Sequence, residues 1–417
     1  MVRWYLHDRS SVPRHGGSVS STTSARPRAR LTRDRPTWLI YLQLATFSTY
    51  LYGLSAALPL LRIDQGVSQA VAGLHGTSMA VGSIISGIAM PRLVSKVGRR
   101  RATWLGLAVM ACGVVLVALT TALPVTLLGF GLASGGGSIT LYVGMSMLSD
   151  HHRAAGPAAI NEANAVGVTV GIGVSFLISV LAGTPLGWRA GILITPIAAL
   201  LLLALMGRVW VPALPTAGDH PEAGPTRAAD APYGWRFHAA CGVLFCLVAM
   251  EFLFNVWAAK LLADQTGMTA AAAATGLTAF TAGIAVGRFA TGRLALRMDP
   301  TRMLSGALVV TLTGWSVFWF SAHPVISYAG LVLSGLGIAV QFPLGLARVL
   351  AMSGGRAAQA SAAASIWTGV AVGVGPFALG ALADGFGTRM AFLVVPLLIA
   401  LAIAGIALSR PPATTPA

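Results

Sequence analysis

GWRAGILITP, residues 187–196, returns as GTRMAFLVVP at residues 387–396. At an offset of 200, Gly187 pairs with Gly387, Arg189 with Arg389, Leu193 with Leu393 and Pro196 with Pro396. Other matches follow in chain order. SGGG (134–137) answers SGLG (334–337), and Gly167, Gly171 and Gly173 recur as Gly369, Gly373 and Gly375 at an offset of 202. PRLVSKVGRRR (91–101) answers GRLALRMDPTR (292–302) at 201, pairing Arg92 with Arg293 and Lys96 with Arg297. A composition this biased makes any one match cheap, but four in order at nearly constant spacing define an internal repeat.

The repeated unit is a membrane unit. Hydrophobic residues make up 55% of the 417 and charged residues only 10%, against about 25% charged in a soluble domain. Mean hydropathy is +0.76. Twelve acidic residues cannot solvate a surface of this size, so most of it must face lipid. Crossing a bilayer takes about 20 mostly apolar residues, because a helix satisfies its own backbone there. Twelve such spans are expected: 38–61, 70–91, 103–122, 125–148, 157–183, 190–212, 236–262, 269–291, 303–321, 325–349, 357–383 and 389–409.

The repeat divides them into an N-terminal half (38–212) and a C-terminal half (236–410), joined by a Pro/Ala/acid-rich cytoplasmic linker over 213–235. Residues 1–37 read as a disordered, Arg/Ser-rich cytoplasmic tail and 411–417 as a short tail; no signal peptide is visible, and span 1 would direct insertion. The expected fold is all-α, two six-helix bundles related by a pseudo-two-fold axis.

Basic residues set the orientation. Of the 28 lysines and arginines, 24 fall on the side of the termini; only Arg62, Arg189, Lys260 and Arg389 fall opposite. Both termini are therefore expected in the cytoplasm of a multi-pass plasma-membrane protein. Trp38, Trp104, Trp188, Trp210 and Trp235 lie at span ends, where an indole suits the interface. The net charge of +16 sits between apolar runs with no basic stripe interleaved with aromatics, which argues against nucleic acid. Cys112, Cys241 and Cys246 lie in apolar runs without metal or disulfide spacing. No phosphate loop, nucleophile elbow or metalloprotease motif occurs, so an enzyme, an ATP-driven pump and a cofactor or metal are not expected.

Two parallel halves with a cavity between them are the architecture of alternating access, and these residues resemble the major facilitator superfamily of transporters over roughly residues 38–410. The family's signature between spans 2 and 3 is G-x-x-x-D-R/K-x-G-R/K-R/K. PRLVSKVGRR supplies Lys96, Gly98, Arg99 and Arg100 in register, with Pro91 in place of the glycine and Ser95 in place of the aspartate. The second copy keeps Gly292, Arg293 and Arg297, with Leu296 at the acidic position. GRFATGRL (287–294) and GVGPFALGALADGFGTR (373–389) resemble family members as well. The resemblance implies cytoplasmic gating loops that latch the two halves; orienting the chain is the simpler role for the same arginines. Gly167, Gly171 and Gly173 loosely fit a span 5 pattern of family exporters without its proline, and close helix packing explains them equally.

One carboxylate stands out. AMEFLFNVWAAKLL (249–262) places Glu251 and Asn255 four apart, on one face of span 7. Counted from Arg236, Glu251 falls beyond the midplane on the outer side. A charge in a bilayer is costly and usually faces a cavity or a partner, and burial disfavours the ionised form of an acid until water arrives. Glu251 is the candidate proton or cationic-substrate site, or else a structural acid between helices; Asn255 can hydrogen-bond the acid or the solute. Gln43 and Tyr50 in span 1, His75 in span 2, Tyr142 in span 4 and Gln341 in span 10 are candidate cavity liners, with Trp257 and Trp367 offering aromatic faces. Each also suits helix–helix packing. Glu162, with Asn161 and Asn164 at the start of span 5, is a candidate inter-half latch pairing with Lys96 or nearby arginines, and Lys260 is expected to snorkel outward.

The expected function is a secondary transporter of a small solute, proton-coupled, monomeric in the lipid bilayer, exporting a drug-like or metabolite compound in preference to uptake. An uncoupled facilitator is the nearest alternative, and a transporter-fold sensor or enzyme the distant one.

Overall fold

A computed structural model describes residues 31–209, 233–291, 294 and 297–409. The first half contains α1 (Arg35–Gln65), α2 (Gln69–Leu119), α3 (Leu123–His152), α4 (Gly156–Ala182), α5 (Gly187–Ile192) and α6 (Ile194–Met206). The second contains α7 (Trp235–Thr266), α8 (Ala270–Thr291), α9 (Pro300–Phe320), α10 (Pro324–Ile338), α11 (Gln341–Ala351), α12 (Ala357–Phe386), α13 (Thr388–Ala391) and α14 (Val394–Leu408). Among the described residues, nine continuous helical stretches are long and apolar enough to cross a membrane. Two of these, Val71–Leu119 and Leu123–Ala182, fold back and so cross twice, and Ala270–Thr291 completes twelve passes.

Local chemistry sets the boundaries. Asp34 caps α1 by accepting the Thr37 amide at 3.0 Å, and Gly66 ends it in the left-handed region. Asp299 caps α9, accepting the amides of Thr301 and Arg302 at 3.0 and 3.1 Å. Inside α2, Gly98 is the one non-helical residue (φ 78°, ψ 159°), a conformation closed to side chains with a Cβ, and it turns span 2 into span 3.

Prolines place three further breaks. A proline lacks the N–H that would bond the carbonyl four residues back and crowds that carbonyl. Pro196 interrupts span 6 between α5 and α6, and its repeat mate Pro396 interrupts span 12 between α13 and α14. Pro343 does the same in span 10, between α10 and α11. The freed carbonyls are taken up elsewhere: Phe392 accepts the Trp315 indole at 3.2 Å, and Ala339 accepts Nε of Arg288 at 3.2 Å. The proline of the opening repeat is thus a structural break with a reason.

Most span limits agree with those read from the chain to within about four residues, α1 beginning at Arg35; span 2 runs past the expected 91 to the bend at Gly98, and α6 ends at Met206, short of the expected 212. Residues 31–37, which the sequence assigned to a disordered tail, are ordered here: Arg33 and Asp34 are bonded to the ends of α4 and α3. Residues 1–30, most of the linker and residues 410–417 lie outside the described residues.

Leucines on α6 and α14, including Leu200, Leu205, Leu397 and Leu401, are exposed and form lipid-facing surface. Within each half, α1 packs on α4 and α2 on α3, as α8 and α9 pack on α10 and α7 on α14. Two seams join the halves: α2 with α12, and α4 with α8 and α11. The repeat exchanges these seams.

Candidate functional site

The bonds between halves lie toward the side where α1 begins and α14 ends, here called the terminal side. Along the α2/α12 seam, Ser83 Oγ donates to the Ser365 carbonyl at 3.3 Å and Ser365 Oγ to the Ser83 carbonyl at 3.0 Å. Gly87 lies so close to α12 that a Cβ there would stand 2.7 Å from Cγ1 of Ile366 and 3.0 Å from the Ala362 carbonyl. Tyr142 on α3 and its repeat mate Phe342 on α11 meet edge to face, with centroids 6.5 Å apart, and Ser361 donates to the Tyr142 carbonyl at 3.1 Å. Together these close the terminal side.

The α4/α8 seam is closed differently. Arg288 on α8, 7% exposed, donates from Nε to the Ala339 carbonyl and from Nη1 to the Asn164 carbonyl of α4 at 3.4 Å. Under the repeat this contact is the mate of the one just described. Arg288 corresponds to Gly87 at an offset of 201, and Asn164 to Ile366 at 202.

Glu251 stands near the middle of α7, sixteen residues after Trp235 and fifteen before Thr266, rather than toward the outer end as the count from Arg236 suggested. Its side chain is half-buried and makes no hydrogen bond or ion pair with a described residue. It lies within electrostatic reach of Arg288, and Tyr52 of α1 is within reach of both. Asn255 is half-buried one turn further along the same face of α7. An acid, a guanidinium and a phenol therefore lie within electrostatic reach of one another, with an amide one turn along the same face of α7.

The other sequence candidates are buried or half-buried. Tyr50 is buried within the first half, edge-on to Phe47 at 5.4 Å. Gln43 is buried with Oε1 unpartnered among the described residues. Gln341 is buried and donates to Thr311 at 2.7 Å inside the second half. His75 bonds the Ala72 carbonyl and Thr126, joining spans 2 and 4 of its own half. Trp257 packs against Gly380 and Trp367 against Phe245. Tyr142 remains central, as part of the closure.

The expected latches need correction. Glu162 pairs at 2.6 Å with Arg33 of the same half, not across to the other and not with Lys96, which is exposed. Arg99 pairs with Asp150 at 2.5 Å and Arg100 donates to the Gly207 carbonyl, so these bonds bind the 2–3 loop to its own half. Each arginine meets an acid or a helix-end carbonyl close by. Asn161 is fully buried with both amide atoms unpartnered among the described residues. Asn164 does join the halves, through its backbone carbonyl rather than its side chain, which donates to the Ile160 carbonyl. Gly292 and Arg293 lie outside the described residues, and Arg297 is exposed. Lys260 pairs with Asp264 one turn on, at 3.1 Å.

A second polar cluster fastens the start of α1 to the end of α3. His151 bonds Asp34 at 2.7 Å, and Thr37 bonds His152 at 2.8 Å. Burial pushes the Asp34 carboxyl up, but the bonds from Thr37 and His151 together outweigh it and hold the group below the usual carboxylate range.

Arg288 and Tyr52 escaped the reading of the sequence. Arg288 is one of the 24 basic residues assigned to the terminal side, although the 269–291 span already enclosed it. The offset that aligns Arg92 with Arg293 places Arg288 opposite Gly87, well inside a helix.

Fold and interior describe a transporter, and comparison with known proteins gives its family. The sequence model of the Major Facilitator Superfamily matches residues 1–171, 37–240 and 239–417. The chain belongs to that family of membrane transporters, which are not enzymes. The glucose transporter GlcP of Staphylococcus epidermidis is 28% identical over 176 residues, 40% of this chain and 38% of GlcP. The match thus spans well under half of that relative. Among solved structures, the transporter FucP in its outward conformation superposes with a TM-score of 0.78 at 18% identity, covering 90% of this chain and 99% of FucP. The proton:xylose symporter XylE gives 0.72 at 14% identity, covering 89% and 94%. At such identities the structural likeness establishes the fold.

Proposed function

We propose that the chain is a proton-coupled secondary transporter of the plasma membrane, working as a monomer with both termini in the cytoplasm. It moves a small solute by alternating access, and Glu251 carries the proton. The observation that supports this most is the placement of Glu251 at mid-depth, half-buried and unpaired, with Arg288 in electrostatic reach and the halves bonded on the terminal side. An acid so placed exchanges protons with whichever side reaches the cavity, and a charge inside a membrane protein ordinarily marks such a path. With the termini in the cytoplasm, the bonds between the halves on the terminal side support reading this as an outward-facing state.

Export of a small organic compound is the direction favoured by the resemblance of Gly167, Gly171 and Gly173 to the span 5 pattern. Gly167 and Gly171 pack against Ser48 and Tyr52, a role that suits either direction. Uptake of a hydroxyl-rich solute is the second reading, favoured by the names of GlcP and XylE, a glucose transporter and a proton:xylose symporter.

The test is transport in proteoliposomes, across sugars, organic acids and drug-like cations, under inward and outward pH gradients. Accumulation should follow the gradient in the native protein. Glu251→Gln should lose accumulation and keep solute exchange. Equal transport with and without a gradient makes the protein a facilitator and overturns the coupling.

A further inference from the structure

We infer that Arg288 is the positioning residue that links the proton on Glu251 to the closure of the terminal side, by dividing its guanidinium between Glu251 and the α4/α8 seam. The inference rests on the proton role of Glu251 proposed above and adds the element that reads it.

The geometry has three parts. Arg288 is more than nine-tenths buried, yet no carboxylate lies within ion-pair distance of it among the described residues. Its partners across the bundle are neutral: the Ala339 carbonyl at 3.2 Å and the Asn164 carbonyl at 3.4 Å. N–H···O bonds run to about 3.2 Å: the first stands at that limit and the second beyond it, so the guanidinium is held loosely on the α4 side. The first carbonyl is available because Pro343 cannot bond it; the second belongs to the opposite half.

The competitor is within electrostatic reach. Two titratable groups act on this guanidinium from the packed elements, Glu251 of α7 and Tyr52 of α1; α4, α10 and α11 offer it the two carbonyls. Glu251 in turn feels Arg288 and Tyr52. A charge-assisted bond is roughly twice as strong as a neutral one. With Glu251 ionised, its pull on the guanidinium exceeds that of the Asn164 carbonyl; with Glu251 protonated, the pull vanishes and Arg288 stays on the seam. Low pH therefore favours a closed α4/α8 seam, and deprotonation loosens it.

Among the described residues, the other seam holds no such device. Gly87, the repeat mate of Arg288, closes by contact alone, and Ser83 and Ser365 do not titrate. Charge sensitivity is thereby confined to one of two equivalent seams.

Spin labels at Ala154→Cys and Leu294→Cys, on the terminal ends of the α4/α8 seam, would read the inference. Cys112, Cys241 and Cys246 are first replaced by serine or alanine, and distances are recorded in nanodiscs across a pH series. The native protein should show a short-distance population that falls as pH rises, by about tenfold relative to the long one, the scale of a typical coupling between sites. Glu251→Gln should keep the short distance at every pH. Arg288→Met should shift to the long distance and lose the pH response. Where Arg288→Met does not fold, Arg288→Lys serves: it keeps the charge but not the fork that spans two carbonyls, and its response should differ from native. A native-like pH response in the available Arg288 variant, or in Glu251→Gln, overturns the inference. If Glu251→Gln has lost accumulation while the seam still follows pH, the coupling assignment stands and only this link fails. If Glu251→Gln still accumulates solute, the functional assignment itself has failed.

Discussion

The α2/α12 and α4/α8 seams are one contact copied twice, and the copies have diverged. In the first, a glycine lets two helices touch and paired serines bond across them. In the second, the same position carries an arginine that reaches to a backbone carbonyl. Close packing resists separation over a very short range, because contact energy fades within an ångström or so. A guanidinium holds over a longer reach and answers to nearby charge. A repeat that supplies symmetric closure therefore supplies control as well, once one copy trades size for charge.

Overpacking the uncharged seam should produce the largest effect. Gly87→Leu places side-chain atoms where Ile366 and the Ala362 carbonyl already stand, at a cost of roughly 1–3 kcal/mol to the closed state. Labelling of a terminal-side cysteine should rise about tenfold or more, equally at all pH values. A pH-dependent rise would erase the distinction between the seams.

A smaller effect separates the two halves at their loops. Span 3 begins after the positive-φ Gly98, whereas at the matching position of the second half Asp299 caps span 9 with its side chain. Gly98→Val should cost about 1–2 kcal/mol and Asp299→Ala about 1 kcal/mol, read from thermal unfolding in detergent. If Gly98→Val proves neutral, the backbone account of that bend is wrong.

The smallest effect concerns the start of α1. The folded state holds the Asp34 carboxyl below its ordinary value of about 3.9, so its contribution is present above that value and is lost as pH falls through the lowered one. Asp34→Asn should lower thermal stability slightly at neutral pH, with the difference from native closing below about pH 4. A gap unchanged down to pH 2 would mean that the charge on Asp34 plays no part.

Much of this was legible in the chain. Apolar length and the repeat fixed twelve spans and two halves, because each span must satisfy its own backbone and each half copies the other. Glu251 and Asn255 were legible as a polar face, since a carboxylate inside a span is costly enough to demand a reason. Partners were not legible. Glu162 was expected to bridge the halves, but Arg33 reaches it from the same half, and nothing in the local sequence reports which arginine lies nearer. The contacts of Tyr50 with Phe47 and of Gln341 with Thr311, each inside its own half, were not legible either, because polarity does not encode which way a helix is rotated. Arg288 was within reach of the same logic that exposed Glu251, yet its nearness to a basic loop disguised it.

The most direct test of the account is the accessibility of position 251. In a protein lacking Cys112, Cys241 and Cys246, Glu251→Cys is treated with a membrane-impermeant thiol reagent applied from one side at a time. Reaction from the side opposite the termini, with little from the terminal side, is the outcome predicted for an aqueous cavity closed by the two seams. No reaction from either side would place this residue among packed helices or lipid, and preferential reaction from the terminal side would place the closure at the wrong end.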